Sequence, residues 1–289
     1  MALSGLSYAQ QVLRKTEHLD SDRPEAWAMN YFTSISLLTE LGAPHSRDPG
    51  SLEFGLEVDW IPELSKSMRR VGLNGIKEED LNKAPVLIRP RLTVGLPWRF
   101  AFSVSYLPPI TVFGVTPDIF AFAVERLVYE NPFLTIGARA YGQFGNVTGA
   151  FTCPSEVTRF PPGSVQNPYG CEHKSRDTAT QNYGGLEVSA AYWFASLPGV
   201  TPYVSFAGNF LDNAFQVHSL TFGVKDRTRL ENDTWTFSAS AGIVYSLTEK
   251  MSLSFGMFYS PLWVTRPPAT GSETDTLFNV RSMVTYRFF

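Results

Sequence analysis

Apolar and polar residues alternate along most of this chain with a period of two, the signature of strands with one apolar face. Ser51–Trp60 shows it most plainly. Leu52, Phe54, Leu56, Val58 and Trp60 fall on one side, and Ser51, Glu53, Gly55, Glu57 and Asp59 on the other. Similar runs lie near 26–41, 86–96, 99–110, 118–129, 132–147, 184–196, 200–211, 234–247, 251–263 and 276–289. The first of these places Trp27, Met29, Tyr31, Ile35 and Leu37 on one face, with Glu40 on the other. Eleven runs result, most close to the roughly 9–11 residues that a tilted strand needs to cross a bilayer.

The connections alternate in length. Leu96-Pro97-Trp98-Arg99, Glu130-Asn131-Pro132, Leu197-Pro198-Gly199 and Thr248-Glu249-Lys250 are short turns, whereas about 65–84, 148–182, 212–233 and 264–275 are long and polar. Short turns on one side and long loops on the other are the layout of a transmembrane barrel, with the short turns periplasmic. The predicted fold is therefore all-β, a transmembrane antiparallel up-and-down barrel over 26–289. An even strand count adds one strand near 3–14 and gives twelve, with ten or fourteen as alternatives. The N-terminal segment 1–25 reads either as a signal remnant ending near Ser7-Tyr8-Ala9 or as that first strand.

Bulk separates this reading from a soluble sandwich or barrel. More than fifty large apolar side chains would share one face, and a barrel this size cannot hold them inside. Facing lipid, they fit, and closure satisfies the backbone of every strand. Trp27, Trp60, Trp98, Trp235 and Trp263 fall near strand ends, where aromatic girdles lie. Composition agrees: aromatic residues reach 14% and charged residues only 18% of 289 residues, yet mean hydropathy is −0.08. No run approaches the roughly 18 apolar residues of a membrane-spanning helix. A net charge of −3 argues against nucleic acid as a partner.

The C-terminal residues Val284-Thr285-Tyr286-Arg287-Phe288-Phe289 resemble the closing strand of bacterial outer-membrane β-barrel proteins. Tyr286 and Phe288 match that spacing, and Phe289 stands one residue beyond it. The resemblance implies a place in the bacterial outer membrane, contact with lipid and lipopolysaccharide, and recognition of this strand by the barrel-assembly machinery.

On the alternation, Glu53, Glu57, Asp59, Arg89, Arg91, Arg139, Glu187 and Arg281 project into the lumen, as does Glu40. Acids beside arginines have two readings: a charged constriction that selects small polar solutes, or salt bridges that fill a closed interior. The leading expectation is a small passive pore without a cofactor, narrowest at Glu53, Glu57, Asp59, Arg89 and Arg91. The rival is a closed structural, adhesion or assembly barrel that works through its outer loops. Cys153 and Cys171 share one polar loop. A disulfide closing it, worth roughly 3 kcal/mol, is expected; free thiols, or a metal pair with His173, are the alternatives. A lipid hydrolase is the third possibility, with His218 beside Ser219, although neighbours in an extended segment point to opposite faces.

Overall fold

A computed structural model describes residues 11–288. Ten strands form the wall: β1 (Leu52–Trp60), β2 (Val86–Leu96), β3 (Phe100–Leu107), β4 (Val115–Glu130), β5 (Leu134–Gly149), β6 (Asp177–Tyr192), β7 (Val200–Gln216), β8 (Arg229–Ser246), β9 (Met251–Ser260) and β10 (Leu277–Arg287). Each pairs antiparallel with its sequence neighbour, and β10 pairs back onto β1, with Arg281 opposite Asp59, which closes the barrel. Strands β4 to β8 run 16–18 residues and rise well above the rest; β9, β10, β1, β2 and β3 have 8–11 residues and form a low side. The loops 61–85 and 261–276 stand above that low side.

The alternation sorts as expected. Leu56, Phe102, Val188, Phe206, Phe237 and Met257 are exposed on the outer surface, while Ser103, Asn209, Ser238 and the charged residues are buried on the inner one. The chain is a transmembrane β-barrel of the outer-membrane type.

The expected count of twelve is corrected to ten. The run at 26–41 is not in the wall. Pro24–Ile35 is a helix, α1, standing inside the barrel, and 36–48 continues through the lumen. Pro at the first turn and Glu25 behind it suit a helix start. Ten of its twelve residues are buried, so no polar stripe exists to betray the helical period. Trp27 is fully buried within this plug and belongs to no girdle, whereas Trp60, Trp98, Trp235 and Trp263 are exposed. The wall makes room for a helix of roughly 10–12 Å diameter by presenting small residues: Ala121, Ala123 and Ala207 pack in one core with Trp27, Tyr31 and Ile35.

No wall strand is found near 3–14 among the described residues. Val12–Leu13 pairs parallel with Lys225–Asp226 of the outer loop, and Thr16–His18 pairs parallel with Arg229–Glu231. The expected signal remnant, 1–9, lies outside the described residues. The plug thus runs from the outer mouth, through the lumen, to the periplasmic end where β1 begins.

A plug held by arginines and a chamber above it

A helix leaves its last carbonyls without intrahelical partners, and these carry partial negative charge. Here the wall satisfies them with guanidinium groups. Arg281 donates to the carbonyls of Ile35 at 3.1 Å and Leu37 at 3.2 Å, and to Thr39 Oγ1 at 2.9 Å. Arg89 donates to Ser36 O at 2.7 Å, and Arg91 to Thr39 O at 3.0 Å. Tyr183 adds its hydroxyl, which donates to Ser36 O and accepts from Leu38 N–H, both at 2.8 Å.

The arginines are in turn paired with acids. Glu57 accepts from Arg89 at 2.9 Å and from Arg91 at 2.5 Å. Asp59 stands 3.9 Å from Arg281 Nε with no closer hydrogen-bond partner. All five side chains are buried. Breaking one such pair leaves an uncompensated charge in a medium that cannot solvate it, so each partner requires the other.

A second tier lies nearer the periplasm. Arg139 contacts Glu40 at 2.6 Å and Glu125 at 3.3 Å. Glu187 accepts from the Glu40 backbone N–H at 2.9 Å. Glu53 gathers Arg47 at 2.7 Å, Arg287 at 2.9 Å and His45 at 3.3 Å, and Arg47 also meets Glu125. The two tiers together set six arginines against six carboxylates. The plug passes so close to the wall here that a Cβ on Gly95 would lie 2.2 Å from Asp48 O, which requires glycine.

All eight lumen residues expected from the alternation therefore face inward and are buried, and the structure brings them together around the plug. Glu40 reaches the same place from the plug itself. Sequence reasoning missed Arg47, Glu125 and Arg287. Glu125 could have been found, because Ala121, Ala123 and Glu125 alternate with Phe120, Phe122 and Val124. Arg47 could not, since it sits on a segment without strand periodicity.

Above and below this layer lie two cavities that share no lining residue among those described. The lower, of about 500 Å³, has a mixed lining and opens to the periplasmic turns, with the charged residues His45, Arg91, Arg139 and Lys250 beside Leu41, Val244 and Met283 in its walls. The upper, of about 800 Å³, is largely apolar: Met29 and Phe32 of α1 form its floor, and Leu87, Leu107, Ile119 and Phe151 its sides.

The outer loops are stitched together over the upper cavity. Cys153 and Cys171 are bridged, with Cα atoms 5.6 Å apart. Asp177, fully buried at the start of β6, organises that loop. It accepts from Phe151 N–H, Thr152 N–H, Thr152 Oγ1, Ser175 Oγ and His218 N–H at 2.6–3.0 Å. Lys77 ties 61–85 to it by donating to Thr152 O at 2.6 Å. Burial pushes the Glu79 carboxyl up to about 7, against the pull of the Lys77 ammonium and with further push from Asp177 and Glu25. No hydrogen bond joins the His218 ring to a hydroxyl among the described residues; its backbone serves Asp177 instead. Tyr286 and Phe288 stack edge-on at the closing strand, ring centres 5.1 Å apart, and Phe289 lies outside the described residues.

No protein-family model and no curated protein matches the chain. Solved structures similar to it include the outer membrane protease OmpT of Escherichia coli (8% identity, TM-score 0.40, covering 83% of this chain and 94% of that one). The attachment invasion locus protein Ail of Yersinia pestis is 11% identical, with a TM-score of 0.34 and coverage of 83% and 99%. The toluene transporter TodX of Pseudomonas putida is 11% identical, with a TM-score of 0.36 and coverage of 95% and 78%.

Proposed function

We propose that this outer-membrane barrel captures a small apolar or amphipathic molecule in its upper chamber. The observation that carries this reading is the contrast between the two cavities. The upper one is bordered by outer-loop residues such as Val71, Leu73 and Tyr169, floored by Met29 and Phe32, and lined mainly by carbon; about 800 Å³ is a volume suited to a small ligand. The polar groups at its margin are already paired, Lys77 with Glu79 and Lys83 with Asp80, so hydrocarbon is favoured over a free anion.

The test is binding of 1-N-phenylnaphthylamine, whose fluorescence rises in apolar surroundings, to the folded barrel in detergent. Saturable binding is expected, weakened roughly ten-fold or more by Phe32→Arg, a change of about 1.4 kcal/mol or more. Absence of saturable binding, or affinity indifferent to Phe32→Arg and Ile119→Asn, overturns the reading.

A passive pore for small polar solutes is the second reading, favoured by the charged side chains Arg91, Arg139 and Lys250 of the lower vestibule. It requires the plug to shift, because two tiers of ion pairs separate that vestibule from the chamber. Conductance of purified protein in planar bilayers, altered by R89A and R91A, would support it.

A further inference from the structure

The wall has a break. Strands β2 and β3 leave the short turn at 97–99 as an ordinary hairpin, paired from Leu96–Phe100 up to Leu92–Val104, and there the ladder stops. Yet β2 continues for six more residues, paired on its other side to β1 as far as Val86–Trp60. Similarly β3 continues to Leu107, paired on its other side to β4 opposite Ile119. Between Val86–Arg91 and Ser105–Leu107 two neighbouring strands therefore run side by side without a ladder.

Pro90 stands in that stretch, opposite Tyr106 if the register is extended. A proline has no N–H to give and within sheets is confined to edges, first positions and bulges. It is at home here because β2 is an edge above Leu92. Five paired residues at about 3.3 Å each, tilted by about 40°, place the end of the ladder roughly 13 Å above the periplasmic rim, about halfway up an apolar band some 25 Å tall. The unpaired stretch thus faces the outer half of the bilayer. Open sheet edges are not tolerated against lipid unless they line a cavity or are buried in protein.

A cavity is what lies behind it. The upper chamber is lined by Leu87, whose side of β2 faces inward with Arg89 and Arg91. It is also lined by Val86 and Ile88, whose side faces outward. Val86 begins β2, where a cavity can round the strand's end, but Ile88 lies two residues further in, beside the unpaired edge. Leu107, Pro108 and Ile110 line it from the other bank. Ile88 and Tyr106 are exposed on the outer surface at this height.

We propose that this gap is a lateral window, through which a molecule with a hydrocarbon chain moves between the upper chamber and the outer leaflet without crossing water. The inference rests on the chamber reading above and adds the route. Its occupant is a small molecule bearing an alkyl chain; beside the gap the walls offer it aliphatic carbon at Val86, Leu87, Ile88, Leu107 and Ile119.

The experiment uses the full chain in phospholipid vesicles and a 12-carbon alkane bearing a diazirine. The probe is delivered either dissolved in the bilayer or, as a cyclodextrin complex, from water to the same protein held in amphipol without lipid. A P90C/Y106C variant, bridged by a short bis-maleimide, closes the window; the native cysteines are already paired. Photolabelling of Leu87, Leu107 and Phe32 by bilayer-delivered probe is expected in the unbridged variant and should fall to background on bridging. Probe delivered from water should still label Phe32 in the bridged form. Labelling from the bilayer that is indifferent to the bridge overturns the window. Labelling from water alone overturns the window and leaves the chamber standing, and labelling from neither phase overturns both. P90V, which returns the missing N–H, is the second variant should the bridged one not fold. It is expected to reduce bilayer-phase labelling, and equal labelling with the native protein overturns the window.

Discussion

Arg281, on the last wall strand, donates to the carbonyl of Ile35, the last residue of the internal helix, at 3.1 Å. The two are 246 positions apart in sequence and belong to different layers, wall and plug. The contact joins a fixed cation to the negative end of a helix dipole, in a place where water cannot substitute for either.

Removing that cation should therefore loosen the plug more than the wall. Arg281→Ala leaves the carbonyl of Ile35 without its donor, that of Leu37 with Arg89 alone at 3.4 Å, and the carboxylate of Asp59 without its ion-pair partner. A loss of roughly 3–5 kcal/mol is expected, read as a lower melting temperature and as new protease cleavage within 36–48. Planar-bilayer recordings should be flat for the native chain and show conductance steps for Arg281→Ala. Unchanged melting and an intact plug would contradict the assignment.

The path of the plug fixes the side on which residues 11–18 lie. Leu13→Cys should react with a membrane-impermeant maleimide on intact cells. Glu249→Cys, in a short periplasmic turn, should react only after the outer membrane is permeabilised. The opposite pattern would invert the topology.

The outer platform should respond to pH through Glu79. Its carboxyl is held up at about 7, above its ordinary 4.5, chiefly by burial. A raised carboxyl favours the folded loop fully below about 4.5, and this contribution is lost as pH rises through about 7. Hydrogen-exchange protection over 65–84, taken relative to the intrinsic rate at each pH, is expected to be greater at pH 5 than at pH 8.5. Glu79→Gln should abolish most of that difference.

Asp177 should matter more to the disulfide loop than the disulfide itself does to the barrel. Asp177→Ala removes an acceptor of five hydrogen bonds, each worth about 1.5–3 kcal/mol when the acceptor is charged. Exchange at Phe151, Thr152 and His218 should accelerate together. Cys153→Ser with Cys171→Ser should cost the loop about 3 kcal/mol while leaving the heat-modifiable gel mobility of the barrel intact.

The wall was legible because lipid and lumen impose opposite demands on successive residues, and ten of the eleven alternating runs became its strands. The eleventh was misread for a physical reason. Trp27, Met29, Tyr31 and Ile35 are all buried inside the barrel, so neither a period of 3.6 nor one of two was enforced there. The inward charges could be seen in the sequence, but not what they grip. Arg89, Arg91 and Arg281 hold backbone carbonyls of the plug, and a carbonyl leaves no trace in residue identity. The window was hidden similarly: Pro90 sits within an otherwise regular run, and only the missing partner across from it gives the proline its meaning.

Closure of the cylinder and seating of the helix are consequently coupled in energy. The seam that shuts the wall, β10 against β1, sets Arg281 beside Asp59 and within reach of Ile35. A cylinder shut while empty would keep Glu57 and Asp59 beside its three cations but lose the plug carbonyls of Ile35, Ser36, Leu37 and Thr39 that complete their hydrogen bonding. An unfilled barrel is thereby the less stable product, penalised at its own final strand.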